Sequence, residues 1–117
     1  MNLGIEGKVA LVTGGAGGIG AATCRVLAGE GAQVVACDVN LALAEQVASE
    51  LRAGGASAMA RQADVTDETS VKNLFAHVIG EWGPVEILVN NAGFTRDMRI
   101  TKMSMNDWDA VVDVILK

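Results

Sequence analysis

Basic residues are scarce in this sequence. Nine lysines and arginines stand against fourteen aspartates and glutamates, so the net charge is −5 at pH 7. That balance leaves no basic stripe for the phosphate backbone of a nucleic acid or for an anionic membrane surface. The sequence also has no uninterrupted run of about 18 apolar residues, the length that a membrane-spanning helix needs. We therefore expect neither nucleic acid nor membrane as a partner, and a small molecule instead.

Residue types that build metal and redox centres are equally few. The two cysteines, Cys24 and Cys37, have no Cys-x-x-Cys spacing and no histidines placed to complete a metal site. We expect buried, reduced thiols and no metal. The one histidine, His77, falls on the polar side of a predicted helix, where we expect a solvated residue without a catalytic role. Tyrosine is absent.

The first residues lack the pattern of a secretion signal. Glu6, Lys8 and several glycines stand where a signal peptide has its hydrophobic core, so we expect a cytoplasmic protein. A length of 117 residues allows one domain with one core, and we assign residues 1–117 to it.

Glycine, in contrast, is abundant, and it is concentrated at one place. The segment Thr13-Gly14-Gly15-Ala16-Gly17-Gly18-Ile19-Gly20 follows an apolar run and precedes a helical pattern. Glycines let a backbone come close to a ligand, and the N-terminus of the helix offers free N–H groups to an anion. The spacing Thr-Gly-x-x-x-Gly-x-Gly differs from the commonest dinucleotide motif, and by itself it is also compatible with a flexible turn.

Apolar periodicity predicts strands that alternate with helices along the chain. The expected strands are residues 8–13, 33–38, 57–62 and 85–90. The first helix, residues 18–30, should bury Ile19, Ala22, Val26 and Leu27. The second should begin at the cap Asn40 and end at Gly54-Gly55, and the third should begin at Thr66 or Asp67 and end at Gly83-Pro84. After a loop at 94–103, Ser104 and Asp107 resemble a capping box, and a fourth helix should present Trp108, Val111, Val112 and Ile115 on one face.

Such alternation predicts a parallel sheet between two layers of helices, joined by right-handed crossovers. The expected strand order is 3-2-1-4. The glycine loop and the segment Asn90-Asn91-Ala92-Gly93 then meet at the crevice between strands one and four, where ligands of such sheets bind.

Five motifs together resemble the N-terminal half of a short-chain dehydrogenase/reductase. They are the 13–20 glycine motif, Asp38 after strand two, Asp64-Val65 after strand three, Asn90-Asn91-Ala92-Gly93 after strand four, and Trp108 in the next helix. The resemblance implies a Rossmann-like α/β/α fold, incomplete relative to the family, and a nicotinamide dinucleotide as cofactor.

The same resemblance implies which residues bind the cofactor. Gly14, Gly18, Ile19 and Gly20 would line the pyrophosphate, Asp64 and Val65 would hold the adenine, and Ala92 and Gly93 would lie against the nicotinamide-side ribose. Gly17, Asp38 and Asn91 complete the predicted site. Asp64 can instead be a turn residue before Thr66, and Asn90 and Asn91 can stabilise a turn through side-chain hydrogen bonds.

Asp38 favours NAD(H) over NADP(H). Its carboxylate can accept hydrogen bonds from the adenosine ribose hydroxyls. A 2′-phosphate would meet a like charge, which costs ~4 kcal/mol for unit charges about 4 Å apart at an effective dielectric near 20.

A finer resemblance concerns the substrate. Asn91-Ala92-Gly93, followed by Thr95-Arg96-Asp97 and Lys102-Met103, is similar to reductases of 3-oxoacyl thioesters, among them acetoacetyl-CoA and 3-oxoacyl-acyl-carrier-protein reductases. This implies acyl-CoA or acyl-carrier protein as a partner. Arg96 and Lys102 could meet a phosphopantetheine or an acidic carrier, or they could be solvated loop charges.

The departures from the family concern catalysis. Its reaction needs a serine, and a tyrosine and a lysine four residues apart, and this sequence has no tyrosine. Isoleucine stands at 115, where the family has an asparagine in the helix. We therefore assign no catalytic residue.

Two functions stay open: the NAD(P)-binding portion of a short-chain oxidoreductase, inactive by itself, or a non-catalytic nucleotide-binding or interaction module. A methyltransferase-like interpretation is disfavoured by Asn90-Asn91-Ala92-Gly93.

We also expect a homo-oligomer. Without the strands that follow in the family, strand four would be an exposed apolar edge, and the helix containing Trp108 would lose part of its cover. Pairing through strand four or packing of that helix would then join two copies.

Overall fold

The computed structural model describes residues 4–91 and the backbone of Asp113–Leu116. Five parallel strands form one sheet in the order β3-β2-β1-β4-β5. The strands are β1 (Val9–Thr13), β2 (Gln33–Asp38), β3 (Ala58–Gln62), β4 (Ile87–Asn90) and β5 (Asp113–Leu116), and the helices are α1 (Gly18–Gly29), α2 (Leu41–Ala53) and α3 (Glu68–Trp82). The order of the first four strands confirms the predicted 3-2-1-4. None of the described helices is long and apolar enough to cross a membrane.

Two apolar clusters, one on each face of the sheet, make up the core. On one face α3 contributes Val71, Leu74, Phe75 and Val78. On the other face α1 and α2 contribute Ala21, Cys24, Leu27, Ala44, Val47, Ala48 and Leu51. All five residues of β1 are buried, as expected of a central strand in a parallel sheet covered on both faces.

Side-chain caps begin two of the three helices in the part of the chain that the structure describes. The Asn40 side chain accepts a hydrogen bond from the Leu43 N–H, as predicted for α2. Of the two residues considered for α3, Asp67 is the cap, and its carboxylate accepts from the N–H groups of Thr69 and Ser70. Gly17 begins α1 without a side-chain hydrogen bond. His77 is partly buried on α3.

The buried face of α1 differs from the prediction. Ile19 is 68% exposed and Val26 is 58% exposed, and Ala22 is also exposed. Of the predicted stripe only Leu27 is buried, and its buried neighbours are Gly20, Ala21 and Cys24. A Cβ on Gly20 would clash with the Gly14 carbonyl, so the first turn of α1 lies too close to the glycine loop for any side chain at position 20. Close approach, which apolar periodicity does not report, thus selects glycine there.

The end of the chain also differs from the prediction. Asp113–Leu116 is a strand and not the last turn of a helix, and it pairs with β4 in the register Ile87↔Asp113 to Asn90↔Leu116. The edge of β4, predicted to be exposed, is therefore paired. The N–H and C=O groups of an open edge favour strand addition, and Val114 and Ile115 are β-branched residues that suit it. The predicted loop, the capping box, Trp108, Val111 and Val112 lie outside the described residues.

Candidate functional site

A crevice of about 400 Å³ opens at the carboxyl ends of the strands. Its lining contains six of the predicted cofactor residues: Gly14, Gly17, Asp38, Asp64, Val65 and Asn91. Four further residues were missed by the sequence analysis: Cys37, Val39, Ala63 and Thr66. Each of the four is adjacent in sequence to a predicted residue at the end of a strand. That adjacency was the signal by which the sequence could have indicated them.

Three predicted residues of α1 lie outside this crevice. Gly18 and Ile19 line a different groove beside α1, and Gly20 is buried against the glycine loop. Ala92 and Gly93 lie outside the described residues. The structure thus brings together the predicted residues that follow β1 to β4. The first turn of α1 lies beside the crevice and not in its lining.

The glycines of the loop are required at their positions for different structural reasons. Gly14 has a φ of 65°, a conformation that favours glycine. A Cβ on Gly15 would lie 3.1 Å from the Ala36 Cα, and the Gly15 N–H donates to the Cys37 carbonyl at 2.9 Å, so the loop is packed against β2. A Cβ on Gly18 would meet nothing within 4 Å. The described chain therefore requires Gly14, Gly15 and Gly20 for its own packing, but not Gly18.

The N-terminus of α1 is suited to an anion. Its first-turn N–H groups have no partner within the helix, and Gly17 supplies no side-chain cap. Asn40 and Asp67 cap the other two described helices. The positive end of the α1 dipole therefore lies at the glycine loop without a protein oxygen from the cap residue, which is the arrangement that phosphate groups use.

Asp38 is held in place by two backbone donors. The Ala16 N–H of the glycine loop donates to Asp38 Oδ2 at 3.2 Å, and the Asn40 N–H donates to Oδ1 at 3.0 Å. The carboxylate thus links the loop after β1 to the turn after β2 while it lines the crevice. No lysine or arginine is among the described residues of that lining.

Asp64 combines a turn with a position in the crevice. Its Oδ1 accepts from the Thr66 N–H at 2.9 Å and from the Thr66 hydroxyl at 2.6 Å, while its own N–H donates to the Ser70 hydroxyl at 3.0 Å. The alternative interpretation of Asp64 as a turn residue therefore describes its local geometry. The turn also orients the backbone of Asp64 and Val65 along the wall of the crevice.

A hydroxyl joins the ends of β1 and β4 beneath the crevice. Thr13 Oγ1 donates to Asn90 Oδ1 at 2.9 Å and accepts from the Asn91 N–H at 2.9 Å. Asn90 is 1% exposed. These bonds fit the interpretation of Asn90 as a residue that stabilises the turn, and they place Asn91 beside the glycine loop.

The cysteines are buried and protonated. Burial raises the pKa of the Cys37 thiol to about 12, and the neighbouring Asp38 charge also raises it. Burial likewise raises the pKa of Cys24 to about 12. Because the thiolate is the reactive form, neither residue suits nucleophilic chemistry. Within residues 4–91 no cluster of histidine, cysteine, aspartate or glutamate could hold a metal ion.

Comparison with known proteins gives the same family for most of the chain. Residues 8–117 match the family described as short chain dehydrogenase. The chain is 44% identical over 111 residues to 2,3-dihydro-2,3-dihydroxybenzoate dehydrogenase of Bacillus subtilis, a match that covers 95% of this chain and 42% of that protein. It is 40% identical to 3-oxoacyl-[acyl-carrier-protein] reductase of Thermotoga maritima (97% and 46% covered) and 44% identical to acetoacetyl-CoA reductase of Cupriavidus necator (93% and 45%).

A solved structure has a similar fold, and this chain covers only part of it. The crystal structure of hydroxysteroid dehydrogenase from Escherichia coli superposes with a TM-score of 0.74 at 39% identity, covering 76% of this chain and 38% of that one. The chain thus spans less than half the length of the curated relatives named above.

Proposed function

Because the chain belongs to the short-chain dehydrogenase family, whose members are nicotinamide-dependent oxidoreductases, we propose that it is the dinucleotide-binding portion of such an enzyme. The observation that supports this most strongly is the crevice, where Gly14, Gly17 and Asp38 converge with Asp64, Val65 and Asn91. A bound nicotinamide dinucleotide would supply or accept the hydride of the family reaction.

The residues are assigned to the cofactor by where they lie. Gly14 and Gly17 face the pyrophosphate, and the uncapped first turn of α1, with Gly18 and Ile19, supplies N–H donors to it. Gly20 acts by allowing α1 to approach Gly14, not by facing the cofactor. Asp38 binds the adenosine ribose, and Asp64 with Val65 binds the adenine. Asn91 is proposed to lie on the nicotinamide side, and Ala92 and Gly93, which are outside the described residues, are assigned to the same side by the family resemblance alone.

The preferred cofactor is NAD(H). The Asp38 carboxylate is oriented by the Ala16 and Asn40 N–H groups, so it does not need to reorganise in order to accept from ribose hydroxyls. A 2′-phosphate at the same place would meet this negative charge, and the described lining of the crevice offers no basic side chain to offset the repulsion.

The reaction of the whole enzyme is reduction of a 3-oxoacyl thioester to the 3-hydroxy compound, with acyl-CoA or acyl-carrier protein as the partner. Two of the relatives named above are a 3-oxoacyl-[acyl-carrier-protein] reductase and an acetoacetyl-CoA reductase, which supports this substrate class. The 44% identity to a dihydrodiol dehydrogenase makes a cyclic alcohol the competing substrate. Arg96 and Lys102 are the basic residues proposed to meet the thioester carrier.

These 117 residues by themselves are proposed to be catalytically incompetent, because they contain no tyrosine to exchange a proton with the substrate oxygen. A non-catalytic nucleotide-binding or interaction module is the second candidate function, and the same absence favours it.

Cofactor titration tests the proposal. We expect calorimetry to show NADH binding at least about tenfold more tightly than NADPH, a difference of roughly 1.4 kcal/mol. Asp38→Asn should reduce that preference, because it removes the charge but keeps the hydrogen-bonding shape. Glu45→Gln on α2, which removes an equal charge outside the crevice, is the matched control and should leave the preference unchanged. Tighter binding of NADPH would overturn the NAD(H) assignment, and binding of neither dinucleotide would overturn the proposed function.

A further inference from the structure

The turn after β2 is held by hydrogen bonds from the end of β3. Gln62, the last residue of β3, is the register partner of Asp38, the last residue of β2. The Gln62 side chain donates from Nε2 to the Val39 carbonyl at 3.0 Å. The next residue of the chain, Ala63, donates its N–H to the Asp38 carbonyl at 3.2 Å. Two hydrogen bonds from this end of β3 therefore fix the backbone on either side of Asp38 and Val39.

The Val39 carbonyl and the Asn40 N–H belong to the same peptide group. That group is planar and trans, so its C=O and its N–H point in opposite directions. Gln62 Nε2 binds the oxygen, and at the other end the Asn40 N–H donates to Asp38 Oδ1 at 3.0 Å. One peptide group thus connects the Gln62 amide to the Asp38 carboxylate through two hydrogen bonds, each of which polarises the other.

The two oxygens of Asp38 are held in different ways. Oδ2 accepts from the Ala16 N–H, which belongs to the glycine loop packed against β2. Oδ1 accepts from the Asn40 N–H in an exposed turn, where Val39 is 63% exposed. Within residues 4–91 the Gln62 amide is the one donor that the structure gives to the Val39 carbonyl. The orientation of the carboxylate at Oδ1 therefore depends on this side chain.

We propose that Gln62 is a positioning residue for cofactor recognition: its amide fixes the peptide between Val39 and Asn40, and thereby holds the Asp38 carboxylate in the orientation that accepts from the adenosine ribose. This inference rests on the proposed function, in which Asp38 binds that ribose. Gln62 is not in the lining of the crevice, so it acts through Asp38 and not by contact with the dinucleotide. A group that is already oriented loses less freedom on binding, which raises affinity.

A fixed carboxylate affects the two dinucleotides in opposite ways. It raises the affinity for NADH, whose ribose hydroxyls donate to it, and lowers the affinity for NADPH, whose 2′-phosphate it repels. A carboxylate that has lost the Asn40 N–H can turn away from that phosphate. Removal of the Gln62 amide should therefore weaken NADH binding and spare NADPH binding, whereas a general loosening of the crevice would weaken both.

Calorimetric titration of Gln62→Met in the 117-residue chain tests this difference. Methionine keeps the length of the side chain and lacks the N–H donor. The dissociation constant for NADH should rise about three- to tenfold, as for the loss of one hydrogen bond, and that for NADPH should not rise. Gln46→Met is the matched control, because Gln46 is exposed on α2 outside the crevice lining, and both constants should stay unchanged. Circular dichroism should show the same helix content in all three proteins.

Two further measurements test the route from Gln62 to Asp38. In an Asp38→Ala background, Gln62→Met should change the affinity for NADH by less than about twofold, because no carboxylate is left to position. Hydrogen exchange of the Asn40 amide, followed by NMR without dinucleotide, reports on the connecting peptide. That exchange should be faster in Gln62→Met than in the parent, and unchanged in Gln46→Met.

The outcomes separate this inference from the proposed function. The inference alone is overturned if Gln62→Met binds NADH normally, if it loses affinity for NADH and NADPH equally, or if its effect persists in the Asp38→Ala background. Unchanged exchange of the Asn40 amide would also overturn it. A parent chain that binds neither dinucleotide would overturn the proposed function, and this inference with it.

Discussion

Gly18 and Gly20 stand two residues apart in the loop, but a side chain would meet different surroundings at each. A Cβ at Gly18 has no neighbour within 4 Å. We predict that Gly18→Val keeps the fold and abolishes detectable NADH binding, because the proposed function places the pyrophosphate against the first turn of α1, where the added side chain would stand. Calorimetry measures the binding and circular dichroism the fold.

Gly20→Val is the contrasting variant. Its Cβ would clash with the Gly14 carbonyl oxygen, so the loop and α1 must separate. We expect a loss of stability of about 1–3 kcal/mol or more in urea denaturation, as in other overpacked sites. If Gly18→Val bound NADH normally, the loop would be a structural turn and not a phosphate site.

The two buried thiols predict a dependence of stability on alkaline pH. Folding raises the pKa of Cys24 and of Cys37 from 9.0 to about 12. Above pH 9 the unfolded chain therefore loses thiol protons that the folded chain keeps. The free energy of unfolding should be at its full value below pH 9 and should fall as the pH rises from 9 toward 12.

Urea denaturation at a series of pH values measures this dependence. A variant with Cys24→Ala and Cys37→Ala is the control, and its stability should fall less steeply above pH 9 despite a lower starting value. Equal slopes in the two proteins would mean that burial of the thiols is not the cause.

At the scale of elements, one hydroxyl connects the two central strands below the crevice. Thr13 Oγ1 at the end of β1 bonds to the Asn90 side chain and to the Asn91 N–H after β4. Thr13→Val has nearly the same shape but leaves the buried Asn90 oxygen and the Asn91 N–H without this partner. We predict a loss of about 1–3 kcal/mol in the free energy of unfolding.

Thr13→Ser separates the hydroxyl from the shape of the side chain. Serine keeps the hydroxyl and loses a methyl group, so its loss of stability in urea should be smaller than that of Thr13→Val. The reverse order would show that packing of the Thr13 methyl group, not the hydrogen bonds, holds β1 to β4.

The three described helices begin in two ways, and the difference corresponds to their place in the fold. Asn40 and Asp67 cap α2 and α3, and such caps contribute about 1 kcal/mol each. α1 begins at Gly17 without a side-chain cap. Its N-terminus is at the crevice, where a cap residue would occupy the position proposed for the pyrophosphate.

For the whole molecule, we predict that the purified chain does not reduce acetoacetyl-CoA with NADH at an enzymatic rate. A hydride step needs a group that exchanges a proton at the substrate oxygen near neutral pH. The titratable groups in the described lining of the crevice are Cys37, whose pKa is near 12, and two aspartates that are engaged in backbone hydrogen bonds.

The absorbance of NADH at 340 nm, a general property of the reduced nicotinamide, follows this reaction. Acetoacetyl-CoA reductase of Cupriavidus necator is the positive control for the assay, since it is a relative of more than twice the length. Steady consumption of NADH by the 117-residue chain, dependent on acetoacetyl-CoA, would contradict the prediction.

Local signals in the sequence predicted most of the fold. Asn40, and either Thr66 or Asp67, were predicted as helix starts because capping side chains act on N–H groups two or three residues away, and the structure has Asn40 and Asp67 as the caps. The first four strands and their order followed from apolar runs and from the handedness of crossovers, and each observed boundary lies within two residues of the predicted one. These properties depend on neighbours in the chain or on general rules of topology.

The tertiary structure alone decided which faces are buried and what pairs with β4. The sequence determined that α1 is an apolar helix after a glycine loop, but only the tertiary structure decided that the side with Gly20, where a Cβ would clash with the Gly14 carbonyl, is buried and that Ile19 and Val26 are exposed. Likewise, the helical spacing before residue 117 did not prevent Asp113–Leu116 from pairing with β4. The physical reason is the same in both cases: periodicity records which side chains are apolar, whereas the distance between elements and the hydrogen bonds of an open sheet edge are set by residues far apart in the chain.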